Sequence, residues 1–137
     1  MSYPDEVLKK GRLANPYFCL MGIDPISFGD GGCVLLMDVR ADMLNGAGWL
    51  QGGIYVSLAD EAMALAISTI LNAGEGIATI SETTSFLRGV NTGKICAKAS
   101  VVRRGRKIIF AEGIVFQKDD ESKVLSKTTA SFAVVKR

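Results

Sequence analysis

The sequence predicts an α+β protein in which an antiparallel β-sheet curls around one long, buried helix. Residues 51–71 are apolar or small on almost every side of a helix, as expected of a helix that the rest of the protein surrounds. After residue 76 the spacing of apolar positions changes from about 3.6 residues to about 2. The β-like stretches that follow are joined by short polar or glycine-containing turns, which is typical of antiparallel strands.

Local signals place one element after another along the chain. The predicted elements are a helix over 4–13, a short helical turn over 17–21, a loop over 22–32, a strand over 33–40, the central helix over 51–71, and four further strands over 77–87, 94–103, 107–118 and 124–135. Pro4 and the acidic pair after it suit a helix N-terminus, and Asn15-Pro16 ends that helix. The loop is predicted from Pro25 and the three glycines that follow it.

The second half of the chain has the pattern of successive strands. Residues 72–76 hold two glycines and mark the exit from the central helix. Residues 77–87 are rich in Thr and Ser, and residues 94–103 alternate between apolar and other side chains. Arg104-Gly105 predicts a tight hairpin turn, and the polar run 119–122 predicts another.

Two features of the central helix point beyond a purely structural role. Asp60 and Glu61 lie at its middle, and residues 55–87 contain no Lys or Arg that could pair with them. Gly52 and Gly53 stand where the first backbone N–H groups of a helix have no internal partner. A glycine pair at a helix N-terminus offers free donors and a positive dipole end that a ligand can approach closely.

Size and charge narrow the classes of protein. At 137 residues the chain can bury a core without disulfides or metals, and 1–137 is predicted to be a single domain. A net charge of +2 argues for neither a nucleic-acid nor a membrane partner. No nucleic-acid partner is expected, because the basic cluster is confined to one hairpin and no aromatic residues interleave with it. Asp60 and Glu61 at the middle of the apolar helix would cost several kcal/mol in a bilayer, so no membrane partner is expected. The charged segment 1–12 lacks the apolar region of a signal peptide.

The chain has no histidine and three cysteines. The absence of histidine excludes Ser-His-Asp and Cys-His triads, histidine-based zinc sites and histidine general bases. Cys19, Cys33 and Cys96 are scattered without metal-ligand spacing, so we predict no metal and expect a reducing, cytoplasmic compartment. Any chemistry therefore has to use carboxylates, hydroxyls, amides and backbone dipoles.

Three motifs occur in a fixed order along the chain. They are Asn45-Gly-Ala-Gly-Trp-Leu-Gln-Gly-Gly53 with Asp60 after six further residues, Thr79-Ile-Ser-Glu-Thr-Thr-Ser-Phe-Leu-Arg88, and Val102-Arg-Arg-Gly-Arg106. Together they resemble the hotdog-fold acyl-CoA thioesterases of the phenylacetate (PaaI-like) group, over roughly residues 13–135 of this chain. The resemblance implies a hotdog fold, in which the antiparallel sheet wraps around the long central helix.

The resemblance also implies roles for individual residues. Asp60 matches the catalytic carboxylate, either as general base on a water or as nucleophile toward the thioester. The backbone N–H of Gly52 would polarise the thioester carbonyl, as in an oxyanion hole. Asn45 would orient the reacting group, and Thr79 matches a position that helps to hold the attacking water. Such proteins form homodimers or homotetramers, and Asp60 and Thr79 would face Gly52 and Asn45 of the other subunit.

One position departs from the family pattern in its chemistry. The His of the family's His-Gly-Gly is Gln51 here, which can donate and accept hydrogen bonds but cannot carry a proton. Any acid–base role of that His is therefore lost, while the carboxylate, the backbone donor and Asn45 remain. The Pro that follows Phe-Leu-Arg in the family is Gly89, which we interpret as a minor variation of the turn.

A basic hairpin and one separate arginine are candidates for binding the phosphates of CoA. Arg103, Arg104 and Arg106 cluster around the predicted hairpin turn, and Arg88 follows the second motif. Guanidinium groups bind phosphate through paired, charge-assisted hydrogen bonds. The alternative is a solvated turn with no ligand.

The sequence therefore predicts hydrolysis of an acyl-CoA thioester by a cytoplasmic homo-oligomer. CoA is part of the substrate, and no cofactor is expected. A non-catalytic acyl-CoA binding or sensing protein is the alternative, in which Gln51 marks lost catalysis. A hotdog hydratase or dehydratase ranks lower because those enzymes usually pair an Asp with a His.

Overall fold

The computed structural model describes all 137 residues and contains three α-helices. They are α1 (Tyr3–Lys10), α2 (Pro16–Met21) and α3 (Gly52–Ser68), with short 3₁₀ turns at Gly11–Ala14 and Ala41–Met43. Ser2 and Asp5 form a capping box at the start of α1, and the side chain of Asn15 caps α2. None of the helices combines the length and the apolarity that crossing a bilayer requires.

Six antiparallel strands form one sheet in the order β1-β2-β4-β5-β6-β3. Their bounds are β1 (Ile23–Gly29), β2 (Gly32–Asp38), β3 (Glu75–Phe86), β4 (Lys94–Arg104), β5 (Ile108–Gln117) and β6 (Asp120–Lys136). The two edges of the sheet differ. β1 carries Pro25 and a bulge, whereas β3 is a 12-residue edge strand that pairs on one side only, with β6.

Small side chains in the centre of the sheet let α3 approach closely. Ala97, Ala99 and Ala111 are buried on the face that covers the helix. At Gly113 a Cβ atom would lie 3.6 Å from the Cβ of Ala59 and 3.6 Å from the Cγ of Met63. The sheet therefore packs directly against the helix backbone, and the predicted architecture of a sheet wrapped around one helix is confirmed.

The predicted helices and most of the strands are present, with one error. Residues 22–32, which we expected to be a loop, contain β1 and its tight turn into β2. The sheet thus has six strands and not five. Pro25 and the bulge between Pro25 and Ser27 break the alternation of this edge strand, so its sequence lacks the period of two that marks the others.

One stripe of α3 is covered by neither the sheet nor the N-terminal helices. Seven side chains of α3 are fully buried, with 0% relative exposure. The partly exposed positions recur every three or four residues, so they lie along one side of the helix. They include Val56, Asp60, Ala64 and Ser68. This uncovered stripe lies beside the β3 edge of the sheet and carries the candidate carboxylate.

Candidate active site

The N-terminus of α3 is capped by the side chain of Gln51. The amide Oε1 accepts a hydrogen bond from the backbone N–H of Gly53 at 2.6 Å. Only the oxygen of an amide can accept from an N–H, so the Nε2 group is the free end. The backbone N–H of Gly52 has no hydrogen-bond partner. Two donors, the Gly52 N–H and the Gln51 Nε2, thus remain available at the positive end of the helix.

An aromatic side chain lies over this helix end. A Cβ atom on Gly52 would lie 3.5 Å from two ring carbons of Phe86. Phe86 meets Tyr55 edge-on, with ring centroids 5.7 Å apart. Tyr55 and Met63 are buried in the core, whereas Phe86 is 56% exposed. The start of α3 is therefore flanked by an apolar, partly exposed side chain.

The loop before α3 is held by Asn45. Its Oδ1 accepts hydrogen bonds from the N–H groups of Ala47 at 2.9 Å and Trp49 at 3.1 Å. The side chain therefore has a structural role in the turn, while its Nδ2 donor remains free. The exposed ring of Trp49 packs on Gly89, where a Cβ atom would lie 3.0 Å from the ring. The glycine that replaces the family's proline thus makes room for Trp49.

Asp60 lies at the middle of α3 on the uncovered stripe, as predicted from its position. The hydroxyl of Thr79 donates a hydrogen bond to Asp60 Oδ1 at 3.4 Å. This is a long bond, of the kind that catalytic groups often show before substrate binds. Asp60 and Thr79 are therefore brought together within one chain, on α3 and β3.

A β-bulge in β3 turns a second carboxyl group toward Asp60. The pairing of β3 with β6 shifts by one residue at Ile80. Strict alternation would place Thr79 and Glu82 on opposite faces of the sheet. Because of the extra residue both face α3, and the residues opposite them on β6 are buried core residues.

Sequence reasoning missed Glu82 as a member of the site. Its carboxyl group lies within hydrogen-bonding range of Asp60, and its Oε1 is buried with no hydrogen-bond partner. Burial, and then the neighbouring Asp60, raise the pKa of Glu82 to about 8. Counting alternate positions from Thr79 assigns Glu82 to the outer face, and only the register shift at Ile80 reveals its true direction.

Gly52 and Asp60 of one chain are too far apart to act on the same atom. They are eight residues apart on α3, which corresponds to about 12 Å along the helix axis. A base and an oxyanion donor must both reach one carbonyl group at about 3 Å. The two candidate groups of one chain therefore cannot reach the same carbonyl group.

A cleft of about 830 Å³ opens along the uncovered stripe, one helical turn beyond Asp60. Ala64 and Ser68 form its floor, Leu71 and Ile77 contribute apolar surface, and Asn15 lies at its wall. Ala64 and Ser68 follow Asp60 at intervals of four residues, so the three side chains lie on one line. The cleft is thus directed from Asp60 toward the end of the helix.

Glu61, the neighbour of Asp60, has a structural role. The Nδ2 of Asn15 donates to Glu61 Oε1 at 2.7 Å and to the hydroxyl of Tyr3 at 2.8 Å. Burial is the largest influence on Glu61 and raises its pKa, while the bond from Asn15 opposes that shift. Glu61 thus connects α3 to the N-terminal helices.

The predicted basic cluster is divided within one chain. The residue opposite Arg103 on β5 is Phe110, on the outer face of the sheet, whereas Arg104 faces the helix side. The Nη2 of Arg104 lies 2.9 Å from Glu75 Oε1, so this guanidinium already has a partner. Arg106 is exposed in the hairpin turn. The three arginines therefore do not converge on one point.

Arg88 lies at the other end of the sheet. Its N–H donates to the carbonyl of Leu125, whereas the hairpin is joined to β6 at Val134. Nine residues of a strand separate these points, or about 30 Å. The side chain of Arg88 is exposed, forms no salt bridge, and comes two residues after Phe86, near the free N-terminus of α3. No group of three or more His, Cys, Asp or Glu side chains is arranged to hold a metal ion.

This fold and these motifs agree with known proteins. The family model described as the thioesterase superfamily matches residues 47–124. The acyl-coenzyme A thioesterase PaaI of Escherichia coli is 38% identical over 90 residues, which cover 64% of this chain and 61% of that protein. The structure of a conserved protein of Pseudomonas aeruginosa is 30% identical, with a TM-score of 0.82, over 90% of this chain and 97% of that one.

A thioesterase structure from Haemophilus influenzae is 25% identical, with a TM-score of 0.81, and covers 89% of this chain and 84% of that chain. The chain belongs to the thioesterase superfamily and has the hotdog fold. The predicted resemblance to PaaI-like thioesterases is thereby confirmed, and thioester hydrolysis is the class of reaction that the family supports.

Proposed function

We propose that this protein hydrolyses acyl-CoA thioesters, and that residues 1–137 act as one thioesterase domain. Asp60 takes a proton from a water held with the help of Thr79, and the hydroxide attacks the thioester carbonyl carbon. The Gly52 N–H donates to the oxyanion that forms, and the Gln51 Nε2 and Asn45 Nδ2 groups donate nearby. The C–S bond then breaks, and the proton on Asp60 passes to the CoA thiolate, which leaves the free acid and CoA.

The observation that carries this proposal is the separation of Asp60 and Gly52 by about 12 Å on one helix. It is explained if the site is shared, with Asp60 and Thr79 of one subunit facing Gly52 and Asn45 of the other. The open edge of β3 supports this arrangement, because a 12-residue edge strand that pairs on one side only and lacks Pro and Lys can pair with a second copy. A homodimer is therefore the smallest active unit, and a homotetramer would be a pair of such dimers.

Asp60 could act in a second way that uses the same residues. Its carboxylate would attack the carbonyl carbon itself, release the CoA thiolate and form a mixed anhydride, which water then hydrolyses. Both routes require the oxyanion donors of α3. They differ in whether the acyl group of the substrate becomes covalently bound to the enzyme.

The cleft beyond Asp60 supports a small or medium acyl group as substrate. A chain that starts at the carbonyl near Asp60 would lie over Ala64 and then Ser68. Arg88 supports CoA as the leaving group, because it follows Phe86 by two residues, and its exposed side chain forms no salt bridge. The backbone N–H of Gly53 is occupied by Gln51 in the free protein. Of the hairpin arginines, Arg103 and Arg106 remain candidate phosphate ligands at the far end of the sheet, whereas Arg104 is already paired with Glu75. The three thiols carry no disulfide, in keeping with a cytoplasmic location, and neither route needs a metal or redox cofactor.

A binding or sensing protein is the second candidate, and Gln51 favours it. The amide of Gln51 caps the helix and cannot supply a proton. This candidate predicts binding of acyl-CoA esters without release of thiol.

The deciding experiment measures release of free CoA thiol from a panel of aryl- and alkyl-acyl-CoAs, with Asp60→Asn beside the unaltered protein. We expect turnover that falls by about 10² or more in the variant, while binding of a non-hydrolysable CoA thioether is retained. Glu61→Gln is the matched control, because it removes a carboxylate one residue away and keeps an acceptor for Asn15. Thiol release that survives in Asp60→Asn would exclude Asp60 as the base, and binding without release in every protein would favour the sensing function.

A further inference from the structure

One carboxyl oxygen of Glu82 is buried on the face of the sheet that covers α3, in a way that a purely structural residue would not require. Its Oε1 is inaccessible to solvent and accepts no hydrogen bond. A buried carboxylate without a donor is costly, so the protein gains nothing in stability by placing an ionised Glu there. The bulge at Ile80 is what directs Glu82 to this place.

The surroundings of Glu82 leave Asp60 as its polar partner. On the same face of the sheet, two residues further along β3, Thr84 hydrogen-bonds Thr128 of β6 at 2.8 Å, so these hydroxyls are occupied by each other. The residue opposite Glu82 on β6 is Ala130. On α3, Glu61 faces away toward Asn15. Asp60 is thus the one titratable group that faces Glu82 within the chain.

Two carboxyl groups at hydrogen-bonding range cannot both be ionised without strong repulsion, so they share one proton. Asp60 Oδ1 accepts a hydrogen bond from the Thr79 hydroxyl, so the Asp60 carboxyl group already has a donor. Glu82 has a buried oxygen without a donor, which favours a neutral Glu82. The proton of the pair therefore belongs to Glu82.

We propose that Glu82 is a positioning residue for Asp60: its protonated carboxyl group donates a hydrogen bond that holds the Asp60 carboxylate in the orientation needed for attack on the thioester. This inference rests on the proposed function, since it assumes that Asp60 is the reacting carboxylate. With Thr79 on one side and Glu82 on the other, the Asp60 side chain cannot rotate freely about its terminal bond. Its remaining acceptor positions then point to the water or to the substrate. Glu82 itself neither touches the substrate nor changes its covalent state in the cycle.

The arrangement also makes turnover depend on pH in a defined direction. As the pH rises through the raised pKa of Glu82, about 8, Glu82 loses its proton, the hydrogen bond is lost and the two carboxylates repel each other. Turnover should therefore decline on the alkaline side. Glu82→Gln keeps an N–H donor of similar shape that does not titrate, so it should retain activity near neutral pH and abolish that decline.

The experiment compares the pH dependence of kcat and kcat/KM for the unaltered protein, Glu82→Gln and Glu82→Ala. We expect Glu82→Gln to remain within a few-fold of the unaltered protein at pH 7 and to keep its activity above pH 8. Glu82→Ala should lose roughly 10²-fold in kcat with little change in KM, because Asp60 is misplaced while substrate binding is not affected. Glu82→Gln that is as inactive as Asp60→Asn would make Glu82 a reacting group, and Glu82→Ala with unaltered kinetics would remove it from the site. Either result overturns the proposal.

A second readout separates this inference from the proposed function. The pKa of Glu82 is raised above its ordinary value of 4.5, so the folded protein holds a proton that the unfolded chain releases as the pH rises. Stability that is present below pH 4.5 is therefore lost as the pH rises through about 8. Urea unfolding between pH 5 and 9 should show this decline, and Glu82→Gln should reduce its slope. The decline without any thioesterase activity would refute the proposed function and leave the pair intact, whereas turnover with identical slopes in both proteins would refute the pair.

Discussion

The side-chain oxygen of Gln51 and the backbone N–H of Gly53 form a 2.6 Å hydrogen bond that fixes the direction of the Gln51 amide. One end of the amide satisfies a helix donor that would otherwise lack a partner. The other end, Nε2, points away from that bond, next to the free N–H of Gly52. The helix cap and the proposed oxyanion donor are thus different atoms of one side chain.

Gln51→Glu should separate these two contributions. A carboxylate keeps the acceptor for Gly53 and interacts favourably with the positive end of α3, by about 0.3–1 kcal/mol. The same change removes the Nε2 donor and brings negative charge to the place where the oxyanion forms, so kcat should fall by roughly 10²-fold or more. Thermal unfolding and thiol-release kinetics measure the two effects. Gln51→Ala is the comparison, since it should lose the cap and the donor together. A Gln51→Glu protein with full kcat would show that Gln51 does not face the reacting carbonyl.

Gly52→Pro should remove the proposed oxyanion donor with little damage to the fold. Proline is well accepted at the first position of a helix, and Gln51 before it already has the extended conformation that proline requires, with φ −64° and ψ 135°. A Cβ atom at Gly52 makes only ordinary contact with Phe86. We expect a loss of about 10²–10³ in kcat without a matching loss of helical circular dichroism. Gly52→Ala retains the N–H and is the control, so equal losses in both variants would point to steric exclusion of the substrate.

A mixture of Asp60→Asn and Gly52→Pro protomers should recover activity that neither variant has alone. If each site takes Asp60 from one subunit and Gly52 from the other, a mixed dimer contains one doubly altered site and one intact site. Random exchange of equal amounts should then restore about a quarter of the original activity per protomer, since about half of the dimers are mixed. Unfolding and refolding the variants together, beside each one refolded alone, gives the measurement. Recovery that stays at the level of the separate variants would place the whole site in a single chain.

Two substitutions on the floor of the cleft should set the length of the acyl group that is hydrolysed. Ala64 and Ser68 lie about 6 and 12 Å beyond Asp60 along the helix axis. Ala64→Leu should reduce kcat/KM for all but the shortest acyl-CoAs, whereas Ser68→Leu should affect only longer ones. The substrate panel measured for both variants shows this as a shift in the preferred chain length. The same loss for every substrate in both variants would indicate that the acyl group lies elsewhere.

The helix and the strands that surround it were predictable because their apolar residues repeat with clear periods. α3 is apolar on almost every side and begins with two glycines. In the later strands apolar residues recur at about every second position, and short polar turns separate the strands. β1 was not predictable in this way. It is an edge strand with Pro25 inside it and a bulge beside that proline, so its apolar residues follow neither period.

The parts of the site that were predicted from sequence are those that local position determines. Gly52 lies at the start of α3 and Asp60 two turns later, and neither position depends on the register of the strands. Glu82 and the arginines depend on strand register, which the sequence does not show. The bulge between Val101 and Arg103, like the one at Ile80, is formed by pairing with a neighbouring strand. The availability of the Arg104 guanidinium also depends on Glu75, a residue distant in sequence whose carboxylate pairs with it.

The extra residue at Ile80 makes the site sensitive to chain length as well as to composition. Deleting this one residue would restore regular alternation, and Thr79 and Glu82 could no longer both face Asp60. All three polar groups would still be present in such a chain, yet one of them would point into solvent on the far side of the sheet. A relative with the same residues but a single deletion at this point would therefore carry a different constellation.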